Sequence, residues 1–204
     1  MKKTLDIKAI TIYENSAEHF GADQHWYTNK LHGLSGCGPT TAALITMYMA
    51  AKHPCCPALY QYGFPAQKND FIAHMDEVRQ FVRPGAMGLT DPGYFASSTA
   101  QFAKSKSAEL ASKVLSRDAA HLEVFGEIKK AIDEDLMPAL LILRNPSEEL
   151  DDFTWHWMAL TGYDDEKGSV FVSTYAKEFE LEFERVWVQY KPYSSDVVIF
   201  YPSE

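Results

Sequence analysis

The chain has 204 residues, 46% of them hydrophobic and 23% charged, and this ordinary globular composition suffices for one large domain with a hydrophobic core. Its 19 basic and 28 acidic residues leave a formal charge of −9. That balance argues against a general nucleic-acid or anionic-membrane binder, because no basic stripe is present to neutralise phosphates.

Targeting and cofactor signals are missing from the sequence. Asp6 and Lys8 interrupt any apolar core of a signal peptide, and no apolar run approaches the roughly 18 residues of a membrane span. The three cysteines form neither a disulfide framework nor a metal-ligand spacing, and no phosphate-cradling glycine loop occurs. We therefore expect a cytoplasmic protein that uses no metal or other cofactor and binds neither nucleic acid nor a membrane.

The N-terminal segments centre on one apolar helix. Residues 4–13 alternate well enough for a short strand, and residues 14–36 predict an irregular polar and aromatic segment. Residues 37–51 are apolar nearly all round, as in a helix buried within a core, and this helix should end near Lys52 because prolines follow. Residues 53–69 predict an ordered loop.

Three more helices are predicted before residue 136. Helical spacing of apolar residues places them over residues 69–82, from the Asp91 cap to about 105, and over 118–135. Asn69 or Asp70 is a suitable N-cap for the first of them. Residues 107–116 are ambiguous between strand and helix.

The last third of the chain is β-rich. Residues 139–143 form a short continuous apolar run, typical of a strand buried on both faces. Further strands are predicted over residues 156–163, 169–174, 178–183 and 196–201. Helices first and sheet second, without repeat or linker, predict a single α+β domain over residues 1–204. Its helical part should span about 14–135 and its antiparallel β-sheet part about 136–204.

Cys37 stands between Gly36 and Gly38 at the start of the apolar helix. A helix N-terminus favours a thiolate, and the glycines allow backbone or substrate to come close. A lone cysteine is more often a small buried hydrophobe than a catalyst. Its interpretation as a nucleophile therefore depends on a base elsewhere in the chain.

His156 is the strongest candidate for that base, since the other six histidines lie in polar loops or on helix faces. It opens a predicted strand and is flanked by Trp155 and Trp157, whose indoles would keep water away. On these residues alone, a hydrogen-bonded core histidine would be the favoured interpretation. We expect both tryptophans, together with Gly36, to line the substrate site.

These residues resemble the papain-like cysteine peptidases. The motif Cys-Gly-Pro-Thr opens a buried helix, and His-Trp-x-x-x-Thr-Gly-Tyr-Asp-Asp starts a strand at His156. Gln-His-Trp-Tyr-Thr before Leu-Ser-Gly-Cys-Gly adds to the likeness, which covers about residues 23–50 and 153–176. The most similar branch contains the bacteriocin leader (double-glycine) peptidases and their uncharacterised bacterial relatives.

The resemblance implies a papain-like fold, with the Cys37 helix packed against an antiparallel sheet, and a role for each matching residue. Cys37 is the nucleophile, His156 takes its proton, and Gln24 forms an oxyanion hole with the backbone N–H of the cysteine. The family usually places Asp or Asn at the end of the next strand to hold the imidazole, and Thr174 stands there. Its hydroxyl can accept an N–H but supplies no charge to an imidazolium.

Three explanations of Thr174 stay open: a weak dyad, an acid that substitutes from elsewhere, or a protein that has left proteolysis behind. The leading prediction is a thiol hydrolase that cleaves a peptide or protein substrate. An amidase, deamidase or acyltransferase would use the same residues. The rival class is an inactive papain-like scaffold that binds peptides or a partner protein.

Overall fold

The computed structural model describes residues 1–85, 87–116, 118–188 and 190–203 as a mixed α+β fold. Its strands are β1 (Lys2–Thr4), β2 (Thr11–Glu14), β3 (Ala17–Phe20), β4 (Leu110–Ser116), β5 (Ala139–Arg144), β6 (His156–Asp164), β7 (Ser169–Thr174), β8 (Lys177–Glu182) and β9 (Ser194–Pro202). Its helices are α1 (Ile7–Ile10), α2 (Lys30–Leu34), α3 (Cys37–Lys52), α4 (Lys68–Arg79), α5 (Pro92–Ser105), α6 (His121–Asp133) and α7 (Phe183–Val186). Short 3₁₀ turns occupy Gln24–Trp26, Pro57–Leu59 and Glu148–Phe153.

One antiparallel sheet runs in the order β4-β9-β5-β6-β7-β8, and β1 pairs with the far end of β6. β2 and β3 form a separate hairpin. None of the helices within the described ranges is both long and apolar enough to cross a membrane.

The buried helix predicted at Cys37 is confirmed as α3, whose residues are buried from Cys37 through Met49. This helix packs against β6 and α4, so it has no face left for water. That arrangement explains why its sequence is apolar all round. The predicted start of α5 is also confirmed, since the Asp91 side chain accepts hydrogen bonds from the N–H groups of Gly93 and Tyr94.

The N-terminal segments differ from the prediction. A continuous strand over residues 4–13 is wrong, because the Asp6 side chain accepts a hydrogen bond from the N–H of Lys8 and starts α1 inside that range. The segment predicted as irregular contains β3 and α2. At α4, Gln67 occupies the cap position instead of Asn69 or Asp70.

The sheet also takes strands from outside residues 136–204, the part of the chain predicted to form it. The ambiguous residues 107–116 contain β4, which pairs with β9 from Leu110 to Ser116, and β1 pairs with β6. Pairing with a partner far along the chain decides both strands, and local periodicity does not contain that information.

The antiparallel pairing of β6 and β7 explains how the candidate site is assembled. β6 begins at His156 and β7 ends at Thr174, so both residues lie at the same end of the sheet. The N-terminus of α3, which carries Cys37, lies at that same end.

Candidate active site

Cys37 is the first residue of α3 and is 8% exposed. Its Sγ lies 4.0 Å from the carbonyl oxygen of Trp155, toward which the thiol points. Trp155 has a left-handed backbone, with φ of 54°, directly before His156. A strained residue of this kind needs support from its surroundings, and here it directs a carbonyl at the candidate nucleophile.

The glycines beside Cys37 serve close packing. A Cβ at Gly36 would lie 2.6 Å from the carbonyl oxygen of His32 and 2.8 Å from the ring of Tyr27. A Cβ at Gly38 would lie 2.7 Å from the Leu89 side chain. We expected Gly36 to contact substrate, but His32 and Tyr27 fill the space beside its Cα.

His156 is 5% exposed, and its Nε2 lies 2.6 Å from Oγ1 of Thr174. When Nε2 carries the ring hydrogen and donates it to Thr174, the other nitrogen, Nδ1, is the proton acceptor. Within the described part of the chain, no carboxylate forms a hydrogen bond with this imidazole. The Thr174 hydroxyl is therefore the side-chain partner of this ring nitrogen.

A cavity of about 10 Å³ brings the predicted residues together. Cys37, His156, Gln24 and Thr174 all line it, although they come from four different elements of the fold. Its volume is enough for about one water molecule. The four residues that the sequence singled out therefore line one small cavity.

The side-chain amide of Gln24 has a defined orientation. Nε2 donates to the carbonyl oxygen of Gly33 over 2.7 Å, whereas Oε1 is buried without a hydrogen-bond partner among the described residues. Rotating the amide by half a turn would bring two oxygens together, so the nitrogen belongs on the Gly33 side. One of the two Nε2 hydrogens is left for another acceptor.

Burial shifts the pKa values of Cys37 and His156. It raises the pKa of the Cys37 thiol, although the N–H groups of Trp157, Gly38 and Cys37 itself act in the opposite direction. Burial also lowers the pKa of His156 to about 4, against a smaller raising effect of the Asp23 charge. Both shifts favour a neutral thiol and a neutral imidazole in the resting site. They act against the thiolate that a helix N-terminus favours.

Among the described residues, no acid stands beside Thr174 as a hydrogen-bond partner of the imidazole. Asp23 is near enough to influence the pKa of His156, but its Oδ1 accepts hydrogen bonds from the backbone N–H of His25 and lies 2.8 Å from that residue's Nδ1. Asp165 pairs with Lys129 at the opposite end of β6. The described residues also contain no group of three or more His, Cys, Asp or Glu side chains arranged to hold a metal ion.

Tyr175 is a residue of the site that sequence reasoning missed. Its ring stacks on the imidazole of His156, with centroids 4.8 Å apart and planes 9° from parallel. Tyr175 and Ala176 form the two-residue turn between β7 and β8, both with left-handed backbones, at φ of 52° and 57°. The short gap between two predicted strands indicated a tight turn, but the usual Asn-Gly signal is missing.

The two tryptophans have different environments. Trp155 is 44% exposed beside Cys37, which is compatible with the substrate contact expected of it. Trp157 is 1% exposed, stacks on Phe95 with centroids 4.0 Å apart, and donates from Nε1 to the carbonyl oxygen of Leu89. Trp157 lines the cavity that contains Cys37 and His156, but its ring packs in the core.

Comparisons with known proteins complete this description. No protein-family model matches the chain, and no curated protein matches it significantly. The chain is similar to the Pseudomonas avirulence protein AvrPphB, whose crystal structure aligns with 86% of this chain and 96% of its own at 9% identity and a TM-score of 0.39. A likeness at that TM-score carries no argument about activity, so the functional argument depends on the side chains described above.

Proposed function

We propose that this protein is a cysteine peptidase with a papain-like arrangement of its catalytic residues. The observation that carries the proposal is the shared cavity, where Cys37, His156, Gln24 and Thr174 meet. A thiol becomes an effective nucleophile when a positioned base accepts its proton, and a neutral imidazole is such a base.

In the proposed reaction, His156 accepts the proton of Cys37 as Sγ attacks a peptide carbonyl. The N–H of Cys37 and the second Nε2 hydrogen of Gln24 stabilise the oxyanion that develops. The C–N bond then breaks and the imidazolium gives its proton to the leaving amine. Water activated by His156 hydrolyses the thioester and regenerates the thiol. Thr174 orients the imidazole through the 2.6 Å contact with Nε2.

An amidase or acyltransferase would pass through the same acyl-enzyme and differ only in the leaving group or the acceptor. The rival from another class is a scaffold that binds peptides without cleaving them. Two observations favour it, namely the uncharged Thr174 and the burial that raises the pKa of Cys37.

Cleavage of a mixed peptide library, read by mass spectrometry, tests the proposal. Cys37→Ala and His156→Ala should each lower cleavage by at least about 1000-fold, as for catalytic residues that act as a unit. Cys55→Ala is the matched control, since Cys55 is an exposed free cysteine outside the cavity, and it should cleave like the native protein. Peptide binding without any cleavage by the native protein would support the scaffold instead.

A further inference from the structure

A surface groove of about 640 Å³ reaches Cys37 from outside the protein. Leu31, Leu34, Met87 and Trp155 line it, and they are 71%, 78%, 74% and 44% exposed. These are four of the eleven large hydrophobic side chains that are exposed in the described part of the chain. Single exposed apolar residues are normal on a protein surface, but a cluster around one concavity indicates a binding site.

The two walls of the groove come from different local structures. On one side, Leu31 and Leu34 lie three residues apart on α2 and therefore share a face, and the Asn29 side chain caps this short helix by accepting the N–H of Leu31. On the other side, two hydrogen bonds of 3.0 and 3.1 Å join Gly85 and Gly88 and close a turn that presents Met87.

The described lining of the groove is mostly apolar, with Ser35 as its polar side chain beside Cys37. No Asp, Glu, Lys or Arg lines it among the described residues, although the protein carries a net charge of −9. A Cβ at Gly88 would meet no atom within 4 Å, so this wall leaves open space for an extended chain. Cys37 also lines the groove, so a peptide bound there would lie beside the attacking thiol.

We propose that this groove binds bulky apolar side chains, such as those of leucine, methionine or phenylalanine, in an extended peptide beside the carbonyl attacked by Cys37. The proposal rests on the proposed peptidase function and names its substrate class. Apolar side chains on both partners leave water on binding, whereas a charged side chain would lose its hydration without gaining a partner. Glycine would leave the groove unfilled.

Peptidyl chloromethyl ketones test this preference through a single bond-forming step. Sγ of Cys37 displaces chloride from the methylene carbon, a thioether forms, and His156 or solvent takes the thiol proton. The rate of labelling at Cys37, followed by peptide mass, is compared for Leu-Leu, Gly-Gly and Asp-Asp reagents. Iodoacetamide, which has no side chain to fill the groove, measures the basal reactivity of the thiol at the same pH.

The Leu-Leu reagent should label Cys37 at least about 10-fold faster than the Asp-Asp reagent, the usual range for discrimination in an apolar pocket. The double variant Leu31→Ser/Leu34→Ser should remove most of that ratio, and each peptide rate is divided by the variant's own iodoacetamide rate, so that any change in the thiol itself cancels. Because both leucines are exposed, the variant should fold. Leu122→Ser is the matched control, a change at an exposed leucine on α6 that does not line the groove.

The two proposals fail in different ways. Equal labelling by all three peptide reagents, at rates that exceed an ordinary thiol, would overturn the apolar groove and leave the peptidase intact. Labelling of Cys37 by no peptide reagent, while iodoacetamide still reacts with it in the alkaline range, would overturn the peptidase itself. A Leu-Leu preference that persists in the double variant would also contradict the assignment to this groove.

Discussion

At the scale of single residues, burial decides how Cys37 and His156 can act together. An ion pair of thiolate and imidazolium would place two charges in a site whose members are 8% and 5% exposed. Thr174 fits the neutral alternative, since a hydroxyl can accept the imidazole N–H without requiring a positive ring. A carboxylate in its place would raise the pKa of His156.

The pH dependence of peptide cleavage follows from these protonation states. The base must be neutral to accept the thiol proton, so activity is lost only as pH falls through the pKa of His156, about 4. The acid limb of kcat/KM should therefore lie near pH 4, well below the 6.5 of an ordinary histidine. Alkylation of Cys37 by iodoacetamide should be slow at neutral pH and rise in the alkaline range. Fast alkylation at pH 5–6 would instead indicate that the resting site contains a Cys37 thiolate paired with a protonated His156.

At the scale of elements, the β7–β8 turn connects backbone strain to the candidate base. Its residues Tyr175 and Ala176 both have left-handed backbones, a conformation that costs roughly 1–2 kcal/mol for a residue with a side chain. Backbone hydrogen bonds from Ala176 to Ala22 and from Phe20 to Ala176 hold the turn in place. The same turn carries the ring that covers one face of His156.

Removing the Tyr175 ring should raise the pKa of His156. Tyr175→Asn keeps a residue that tolerates the left-handed backbone but exposes the imidazole, so the pKa of His156 should rise from about 4 toward 6.5. Tyr175→Phe keeps the stacked ring and should leave the pKa near its native value. Titration of the His156 ring by NMR measures both. An unchanged pKa in the asparagine variant would show that other elements alone exclude water.

At the scale of the whole molecule, two buried histidines link stability to pH. Burial lowers the pKa of His74, like that of His156, to about 4. His74 lies between helices, with Nε2 2.9 Å from Oγ1 of Thr46 and 3.2 Å from the carbonyl oxygen of Ala43. Above pH 6.5 each ring is neutral both folded and unfolded. As pH falls below 6.5, the unfolded chain binds protons that the folded protein does not, so the free energy of unfolding decreases until about pH 4.

Acidification from pH 7 to 4 should therefore lower the free energy of unfolding by about 3 kcal/mol for each of the two histidines, measured by urea unfolding at a series of pH values. His156→Gln should remove about half of this histidine-linked decrease. His74→Gln should remove the other half. A free energy that stays constant between pH 6.5 and 5 would contradict the depressed pKa values.

The sequence by itself determined the features that depend on neighbouring residues. The apolar run after Cys37 required a buried helix, the Asp91 cap marked the start of α5, and the short apolar run at residues 139–143 indicated β5. The family resemblance, and not the local pattern, paired Cys37 with His156, and both residues line one cavity in the structure. The helix and strand predictions succeeded because helix and strand periods depend on neighbouring residues.

Only the tertiary structure decided the features that depend on contacts between distant segments. β1 and β4 became strands through partners at the other end of the chain, and Trp157 became a core residue by stacking on Phe95. The stack of Tyr175 on His156 and the neutral state of the Cys37 pair have the same origin. Burial is a property of the assembled fold, so the sequence could name a candidate nucleophile and a candidate base but not the direction of their pKa shifts.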